Sequence, residues 1–592
     1  MNNEITKIQI ESGTYTLKDS YARSKYNKAY NTLNALKNDS KIEDDMLVVT
    51  KGYYSINDGG GAFYVVRQIT NQDVVDNMFL IALNDTSLVA ELIYNDINVK
   101  QIGAKGDGIT DDTNVINIAL SKGKNVIFPR GEYLVNESID ITTNNIIVYG
   151  NNSTLKPTHS GDCVNVNGNN IEIYNLNING ACNYGYDLNG NYCTIKNCNI
   201  NNTLHNAIMI TGSHNTIDNV VANLCGWDCV GNYGNASYNI INNCKAIKTK
   251  RHGFSTDPTT HHISFINCYC EDVGSPELAE GHSCYHFEHS DYGIVNNCKA
   301  KYTNNHTNNT TKCNNAFIGI RCYQSNNVLV DNINIIYEEN YNPLDASRPI
   351  VVENSQNFQI INSNIINNSS DSNVGQIYIN SPIELNNNIL LNINIAQSDA
   401  YQGYIKKMIN NNITLNNKTY FAYFYYLCEN SIIANNNFKG NSNLDYFFKG
   451  RFVNTSFENN IFDTGIHSII LTHDASNSNL KSIANRILNN TFKDLTNMIS
   501  LFSIDNDTTF IEKNLFTGTC DYVFEGNYNS AQIKENYKNN LTVNQNFKLN
   551  LYVDIFDDLK STFDYRSYAL NSSNNKFYIS VDENGNLKSN QL

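Results

Sequence analysis

The 592-residue sequence is poor in several residue types, and each shortage excludes a class of protein. Proline occurs 7 times, tryptophan once, and charged residues make up 17% of the chain. Lys and Arg number 42 against 57 Asp and Glu, which gives a net charge of −15 and no basic surface for nucleic acid. No apolar run reaches the ~18 residues of a membrane span. The N-terminus lacks the pattern of a secretory signal, so we expect synthesis in a cytoplasm without a signal peptide.

Cysteine is present but unevenly distributed. Of 15 cysteines, 13 lie between Cys163 and Cys322. Without a secretory route these thiols are expected to be reduced. No two pairs have the spacing of zinc ligands, so small buried core residues are the favoured interpretation. We expect no metal and no cofactor.

Asparagine is the residue in excess, with 14 copies between residues 151 and 200 alone. Many of these copies belong to a short phrase of alternating apolar and polar residues that ends in a turn. It recurs every 22 to 30 residues, at 171–178, 194–200, 216–222, 240–246, 264–270 and 294–300. Alternation over so few residues indicates short strands, and helical periodicity is missing.

Short strands at this period predict an all-β fold, a right-handed parallel β-helix in which each coil buries its inward side chains against the next. Residues 99–540 would form roughly 18 such coils. Cys198, Cys244, Cys268 and Cys298 are expected to share one inward column. Asparagine at the same turn of each coil would adopt the left-handed conformation and bond to its equivalents above and below.

The start of this region carries a recognisable motif. Residues 103–113 read Gly-Ala-Lys-Gly-Asp-Gly-Ile-Thr-Asp-Asp-Thr, and residues 128–133 read Phe-Pro-Arg-Gly-Glu-Tyr. Together they resemble the opening of the pectate-lyase-like β-helix superfamily, which includes polygalacturonases and many bacteriophage tailspikes. The resemblance implies the fold rather than an activity, and Asp107, Asp111 and Asp112 are expected to be structural. Asp111 or Asp112 would cap a helix.

The two ends complete the predicted organisation. Residues 12–23 and 51–66 look like the opening of tail-fibre and tailspike proteins of phages of low-GC Gram-positive bacteria. The resemblance implies that residues 1–98 form a small α/β region that attaches a homotrimeric spike to the phage tail or baseplate. Apolar spacing favours a helix over 19–37. Residues 541–592 are expected to form a small β cap that supports trimerisation, and the expected location is the virion.

Histidine and charge gather between residues 225 and 325, where the asparagine pattern is interrupted. Counting back from the repeat phrase predicts a column of Tyr233, Asp257, Glu288 and Arg321 on neighbouring coils. Two adjacent carboxyl groups fit glycoside hydrolysis, with Glu288 as acid and Asp257 as base. Arg321 would position substrate.

Further candidates surround this column. The cysteine register predicts a second column of Asp228, His252 and His282, and Tyr285 and His286 flank the first. Substrate-binding candidates are Arg321, His286, Tyr285, Tyr233, Trp227 and His282. Each of these residues also has a structural interpretation, such as a capping carboxylate, a stacked histidine, an ion pair that supports stacking or a core tyrosine.

The polygalacturonase motifs are only partly present. Residues 225–230, Cys-Gly-Trp-Asp-Cys-Val, resemble that family's Gly-Asp-Asp-Cys-Val, and residues 251–255 resemble the stretch around its Gly-His-Gly. By this resemblance Asp228 would be the acid and His252 its partner. Trp227 replaces one aspartate, however, and the rest of the catalytic set is absent.

These observations favour a phage tailspike that binds and depolymerises a bacterial surface polysaccharide as an endo-glycosidase. A non-catalytic receptor-binding spike shares every feature except the chemistry. Two further hypotheses are a polysaccharide lyase and a free pectinase-like bacterial enzyme. The glycan, its linkage and the host are not encoded in any of these patterns.

Overall fold

The computed structural model describes two compact units, Met1–Gly226 and Trp227–Leu592. Side chains are described for residues 28–274, 282–303, 317–339, 341, 347–371, 374–397, 403–472, 481–502, 504, 509–525 and 531–542, apart from 532 and 534. For residues 7–10, 13–16, 567–570, 576–581 and 587–591 only the strands are described. Residues 7–10 and 13–16 pair with each other, and the last three segments form one antiparallel sheet.

The first unit begins with a five-stranded sheet and one short helix. In spatial order its strands are Lys28–Tyr30, Leu47–Thr50, Phe63–Gln68, Leu88–Ile93 and Leu80–Ala82. The helix predicted over 19–37 is wrong in its second half, because 28–30 is a strand and only Leu33–Lys37 is helical. Residues 19–27 lie outside the described part. Thr32 caps this helix by accepting a hydrogen bond from the Ala35 N–H at 3.2 Å.

The motif at 103–113 forms a loop and then the strand Asp107–Asp111, which is followed by the helix Thr113–Ser121. A 3₁₀ turn, Val99–Ile102, precedes the motif. Asp112 occupies the N-cap position, but its buried carboxylate accepts hydrogen bonds from the backbone N–H groups of Lys105 and Gly106, at 2.7 and 2.9 Å. The structural role expected for this aspartate is therefore confirmed, although it ties the loop rather than the helix.

Parallel coils follow in the first unit, stacked as three sheets. Their strands are Ile97–Asn98, Asp107–Asp111, Val126–Ile127, Glu132–Val135, Ile139–Ile141, Ile147–Pro157, Val164–Val166, Glu172–Asn179, Tyr186–Leu188, Thr194–Lys196, Asn199–Asn201, Ile208–Ile210, Thr216–Asp218 and Val221–Asn223. Each pairs in parallel with its equivalent one coil away, for example Ile173 with Ile195.

The second unit consists mainly of three parallel sheets. We call the first the site sheet; its strands are Val230–Asn232, Phe254–Thr256, His282–Glu288, Phe317–Tyr323, Arg348–Glu353, Gln376–Ile379, Asn394–Gln397, Tyr420–Glu429, Tyr446–Val453, Ile461–Leu471, Thr491–Leu501 and Tyr522–Gly526. The strands of the second sheet are Ile240–Asn242, Ser264–Ile266, Ile294–Asn296, Leu329–Asp331, Phe358–Ile361, Ile383–Asn386, Ile405–Ile409, Ile432–Ala434, Ser456–Glu458, Arg486–Leu488, Thr509–Glu512 and Ala531–Lys534. Two strands of the site sheet, Ile461–Leu471 and Thr491–Leu501, also run through the third sheet. Its remaining strands are Lys245–Ile247, Tyr269–Glu271, Lys299–Tyr302, Asn334–Tyr337, Asn364–Asn367, Ile389–Leu391, Asn412–Thr414, Asn437–Lys439, Leu515–Cys520 and Tyr537–Val543.

This architecture is the all-β, right-handed parallel β-helix that the repeat predicts. Alternation within each strand places one set of side chains inward, so Ile241, Phe265 and Val295 are fully buried on successive coils. No helix in the described part of the chain is long and apolar enough to cross a membrane.

One inward column changes character along the second unit. Its first part, the cysteine segment, contains Cys244, Cys268 and Cys298, all buried as thiols rather than disulfides. From residue 388 onward it becomes what we call the buried asparagine ladder. Its members are Asn388, Asn411, Asn436, Asn460, Asn490, Asn514 and Asn536. The Asn436 side-chain amide donates to Asn460 Oδ1 at 2.9 Å and to the Met408 carbonyl at 2.9 Å, and the same pattern repeats on each coil down to Asn514.

A second, exposed asparagine ladder occupies a turn of the coils. Asn297, Asn332, Asn387 and Asn410 all have φ between 51° and 58°. The Asn332 amide donates to Asn297 Oδ1 at 3.0 Å, and that of Asn410 donates to Asn387 Oδ1 at 3.1 Å. The expectation that asparagine tolerates the left-handed turn and bonds along the stack is therefore confirmed.

Candidate functional site

The site sheet brings the two candidate carboxylates together. Thr256 pairs with Phe287, so the residues that follow them are neighbours: Asp257 comes directly after its strand and Glu288 ends the next one. Neighbouring strands are about 4.8 Å apart. Both residues are partly exposed, and the Glu288 side chain retains 33% of its accessible surface. The structure thus places Asp257 and Glu288 as the repeat predicts.

Arg321 belongs to a different position of the same sheet. It pairs with His286, whereas Glu288 pairs with Tyr323, so the predicted register of Arg321 is wrong by two residues. Ile294 pairs with Leu329, and Glu288 and Tyr323 each lie six residues before these partners, so counting seven residues back from Val328 goes two residues too far. Its guanidinium donates to Glu353 Oε2 at 3.2 and 3.3 Å and lies 5.4 Å from the centre of the Tyr323 ring.

The environment of Asp257 keeps its carboxyl group protonated to an unusually high pH. Burial in the sheet disfavours the charged form, and the nearby negative charges of Asp228 and Glu288 act in the same direction. The positive charge of Arg251 opposes both but is outweighed. The pKa of Asp257 is raised to about 7.

Glu288 is held in the opposite state. Its Oε2 lies 3.1 Å from Nε2 of His286, and this hydrogen bond is the main cause that lowers the pKa of Glu288. Burial lowers the pKa of His286 itself, so the imidazole is neutral and donates its Nε2–H to an ionised carboxylate. A protonated Asp257 beside an ionised Glu288 reverses the expected division of labour and makes Asp257 the better acid.

Behind Glu288 the structure shows a chain of buried polar contacts. Ser283 Oγ lies 3.1 Å from Nδ1 of His286 and 3.2 Å from Nδ1 of His252, and the Ser283 N–H also donates to His252. The two imidazole rings stack at 4.1 Å with 15° between their planes. Both histidines are buried, so His252 and His286 position Glu288 rather than touch a substrate, contrary to the roles expected for them.

Asp228 is also buried and serves the same framework. Its carboxylate accepts hydrogen bonds from the His252 N–H at 2.9 Å, from Ser255 Oγ at 2.7 Å and from the Tyr233 hydroxyl at 3.1 Å. Arg251 lies 3.9 Å away. A carboxylate with no exposed surface cannot reach a glycosidic oxygen, so the acid role implied by the polygalacturonase resemblance does not fit Asp228.

Two further candidates are core residues. Tyr285 is fully buried, stacks on Phe254 at 5.7 Å and donates to backbone carbonyls, which contradicts a sugar-stacking role. His282 is buried too and lies one residue out of the predicted register. Since Phe254 pairs with Tyr285, the residue beside His252 is Ser283. The connection after this strand is one residue shorter than in the preceding coil, because Ile294 follows Tyr285 by nine residues whereas Ser264 follows Phe254 by ten.

The surface of the site is formed by cationic and aromatic side chains next to the carboxylates. The Arg251 guanidinium lies 4.9 Å from the centre of the Trp227 ring and donates to the Tyr233 hydroxyl at 3.3 Å. Trp227 and Tyr233 are both partly exposed, so the structure leaves them at the positions of candidate substrate contacts.

The sequence interpretation missed Arg251, Ser283 and Glu353. Arg251 follows Trp227 by 24 residues, the length of that coil, so the repeat itself placed the cation over the indole. Ser283 and Glu353 are found only through the register of the irregular coils. No cluster of three or more potential metal ligands occurs among the described residues.

Chemically, the site combines a proton donor, an ionised carboxylate and the guanidinium groups of Arg251 and Arg321. This set suits general acid–base attack on a glycosidic bond, with the guanidinium groups available to hydroxyl or carboxylate groups of a sugar.

Comparison with known proteins gives one family match. A model described as rhamnogalacturonase A/epimerase, pectate lyase-like, matches residues 96–162, the region of the predicted opening motif. The resemblance of this segment to the pectate-lyase-like group is thereby confirmed. A non-secreted LysM effector of Penicillium expansum, LysM19, is 46% identical over 56 residues, which cover 7% of this chain and 4% of that protein.

Solved structures with similar folds include phage proteins. The enzymatically active domain of tailspike protein 4 of bacteriophage CBA120 aligns with 13% identity and a TM-score of 0.41, covering 67% of this chain and 55% of that one. Tailspike gp49 of the Acinetobacter baumannii bacteriophage Fri1, a capsular polysaccharide depolymerase, aligns with 12% identity and a TM-score of 0.35, covering 95% and 92%.

Proposed function

We propose that this chain is a phage tailspike that binds a bacterial surface polysaccharide and cleaves it by endo-hydrolysis. The observation that carries the proposal is the pair of adjacent carboxyl groups with opposite protonation preferences, Asp257 and Glu288. A pair of this kind is what glycoside hydrolysis requires, because one group must give a proton while the other is ionised.

In this mechanism Asp257 donates its proton to the departing glycosidic oxygen. Glu288 acts as the ionised partner, either as a base for water or as a nucleophile at the anomeric carbon. His286 holds Glu288 in place through the hydrogen bond at Nε2, and Ser283 and His252 hold His286. Arg251 and Arg321 bind the sugar, with Trp227 and Tyr233 as flanking contacts.

The N-terminal resemblance supports attachment to a phage tail, and the same resemblance supports a homotrimer in the virion. A native mass three times that of the 66.7 kDa chain is the expected result for the assembled protein. A monomeric mass would contradict this part of the proposal while leaving the chemistry open to its own test.

The chemistry is tested with a panel of purified capsular and wall polysaccharides from low-GC Gram-positive bacteria. We expect new reducing ends with at least one of them, without the ultraviolet absorbance of unsaturated uronates. Appearance of that absorbance would indicate a lyase instead. Retention of a polysaccharide on the protein without any cleavage would favour the non-catalytic spike.

A further inference from the structure

The site sheet carries a second group of polar and aromatic side chains well away from Asp257 and Glu288. The register along this sheet is unbroken between the two places. The residues that pair in turn are Ser255, His286, Arg321, Val351, Tyr378, Ala396, Tyr423, Lys449, Ile470, Ser500 and Glu525. Both groups therefore lie along one face of one sheet.

The aromatic half of this second group is built around a lysine. The Lys449 ammonium lies 5.2 Å from the centre of the Tyr446 ring and 5.9 Å from that of Tyr423. Tyr446 stacks against Tyr420 at 5.5 Å. Lys449 and Tyr423 are partly exposed, whereas Tyr446 is buried and supports the lysine. These contacts fix the rings in orientation while leaving aromatic surface and a cation open to solvent.

The polar half adjoins it on the next three strands. His467 pairs with Tyr446 and with Asn497. The Asn497 amide donates to Glu525 Oε2 at 3.0 Å, and Ser500 Oγ lies 2.8 Å from His467 Nδ1 and 3.2 Å from Glu525. The Glu525 carboxylate remains one-third exposed.

One atom in this half has no partner within the described part of the chain. Asn497 is 9% exposed, and its Oδ1 makes no hydrogen bond. The buried asparagine ladder differs, because Asn490 Oδ1 accepts from Asn460 and Asn514 Oδ1 accepts from Asn490. Asn334, Asn386 and Asn394 also have an unbonded Oδ1, but Asn497 lies beside the other polar groups of this half. A buried acceptor without a donor is costly unless a bound group supplies the donor.

We infer that this group of side chains forms a second carbohydrate-binding site. We call it the Tyr–His cluster; its members are Tyr423, Tyr446, Lys449, His467, Asn497 and Glu525. Aromatic rings beside amide, imidazole and carboxylate groups match a ligand rich in both C–H surface and hydroxyl groups. Its ligand is a distant stretch of the same polysaccharide, an identification that rests on the proposed function. The cluster begins five strand spacings of about 4.8 Å from the strand of Glu288, or roughly 24 Å, with Tyr423, and ends nine spacings away, or roughly 43 Å, with Glu525.

A site at this distance holds the polymer without taking part in its cleavage. It raises the local concentration of the polysaccharide at the acid–base pair, so its contribution to binding grows with the length of the glycan. Oligosaccharides too short to reach both places gain nothing from it.

The test uses the full chain with Glu288→Gln, which prevents digestion, in affinity electrophoresis through gels that contain each polysaccharide of the panel. Tyr423→Ala with Lys449→Ala removes the aromatic and cationic surface, and Asn497→Leu removes the unpartnered acceptor. The matched control is Tyr269→Ala with Lys299→Ala. It removes a similar pair from a different sheet, in which the Lys299 ammonium lies 5.8 Å from the centre of the Tyr269 ring.

We expect the Tyr423/Lys449 variant to bind the polymer about tenfold more weakly, because it loses one stacking contact and one cation. The control variant should bind with the same affinity as its parent. With Glu288 intact, the same variant should raise KM for the polymer and leave the hydrolysis of short fragments unchanged. Unaltered gel retardation, or no retardation of the parent in any gel, would overturn the second site. If the cluster substitutions reduce retardation but the wild type cleaves no polysaccharide, the proposed hydrolysis would be refuted and the second site would stand.

Discussion

The cysteine segment and the buried asparagine ladder occupy the same inward column of the second unit, yet they support different outer surfaces. The ladder forms a continuous network in which Asn436, Asn460 and Asn490 bond to one another and to the backbone. The cysteine segment offers only weak thiol contacts, such as the one from Cys298 to the Phe265 carbonyl at 3.3 Å. The buried hydrogen bonds that rigidify these coils lie elsewhere, in Asp228, His252 and Ser283 beneath the site sheet.

This difference shows that one repetitive fold can stabilise its coils with two different kinds of buried polar network. Where the ladder is complete, the asparagine of each coil bonds to the next asparagine and to a backbone carbonyl. Where cysteines replace the asparagines, the buried polar network lies beneath the site sheet instead and supports the orientation of Glu288. Burying an aspartate and two histidines costs stability unless every polar atom is satisfied, which is why that network is extensive.

The largest expected effect is a loss of activity that only substitutions in the site region cause. Asp257→Asn or Glu288→Gln should lower kcat by about 10²- to 10⁴-fold, because each removes one partner of the acid–base pair. Reducing-end release from the polysaccharide cleaved by the wild type measures it. Glu384→Gln, a carboxylate on the second sheet, is the control and should retain activity. Wild-type activity in either site variant would refute the assignment.

The next effect separates the regions by stability. Asn460→Ala deprives Asn436 of its acceptor and the Ile433 carbonyl of its donor, and should cost about 2–4 kcal/mol. Cys268→Ala removes a weak donor and a small volume, with an expected cost of about 1 kcal/mol. Denaturant midpoints followed by tyrosine fluorescence compare the two. Equal losses would show that the ladder adds nothing beyond packing.

The third effect is a pH dependence confined to the site region. Hydrolysis should decline as pH rises through about 7, because Asp257 loses the proton it must donate. Since its folded-state pKa lies above the unfolded value of 3.8, the stability from its neutral form is present at pH 4 and is lost as pH approaches 7.

Asp257→Asn should therefore unfold at a higher temperature than the wild type at pH 8 and at the same temperature at pH 4. Thermal unfolding at the two pH values measures this difference. An identical shift at both would mean that Asp257 has an ordinary pKa, and the proposed acid would then be wrong.

The smallest effect concerns the exposed ladder. Asn387 has φ of 58°, a conformation that glycine adopts without strain. Asn387→Gly should change stability by less than about 0.5 kcal/mol, whereas Asn387→Ala should cost about 1–2 kcal/mol through the left-handed backbone. If both substitutions cost the same, the side-chain bonds of the ladder, rather than the turn conformation, determine the preference for asparagine.

Much of the fold was predictable because the repeat is a local pattern. Alternation in a short phrase fixes which side chains face inward, and a constant period fixes which residues stack, so the coils, the cysteine column and the asparagine turns follow directly. The same reasoning placed Asp257 beside Glu288. It failed for Arg321 and His282, because the number of residues between the site sheet and the repeat phrase differs from coil to coil, and for the helix over 19–37.

The sequence by itself determined the solenoid, the position of its irregular coils and the adjacency of the two carboxylates. Only the tertiary structure decided their protonation. The pKa of Asp257 depends on burial and on charges from other coils. The pKa of Glu288 depends on His286, two residues away, whose ring is fixed by Ser283. Burial likewise removed Asp228, His252 and Tyr285 from the surface. Side-chain exposure and hydrogen-bond partners across coils are set by register, which a single irregular coil is enough to shift.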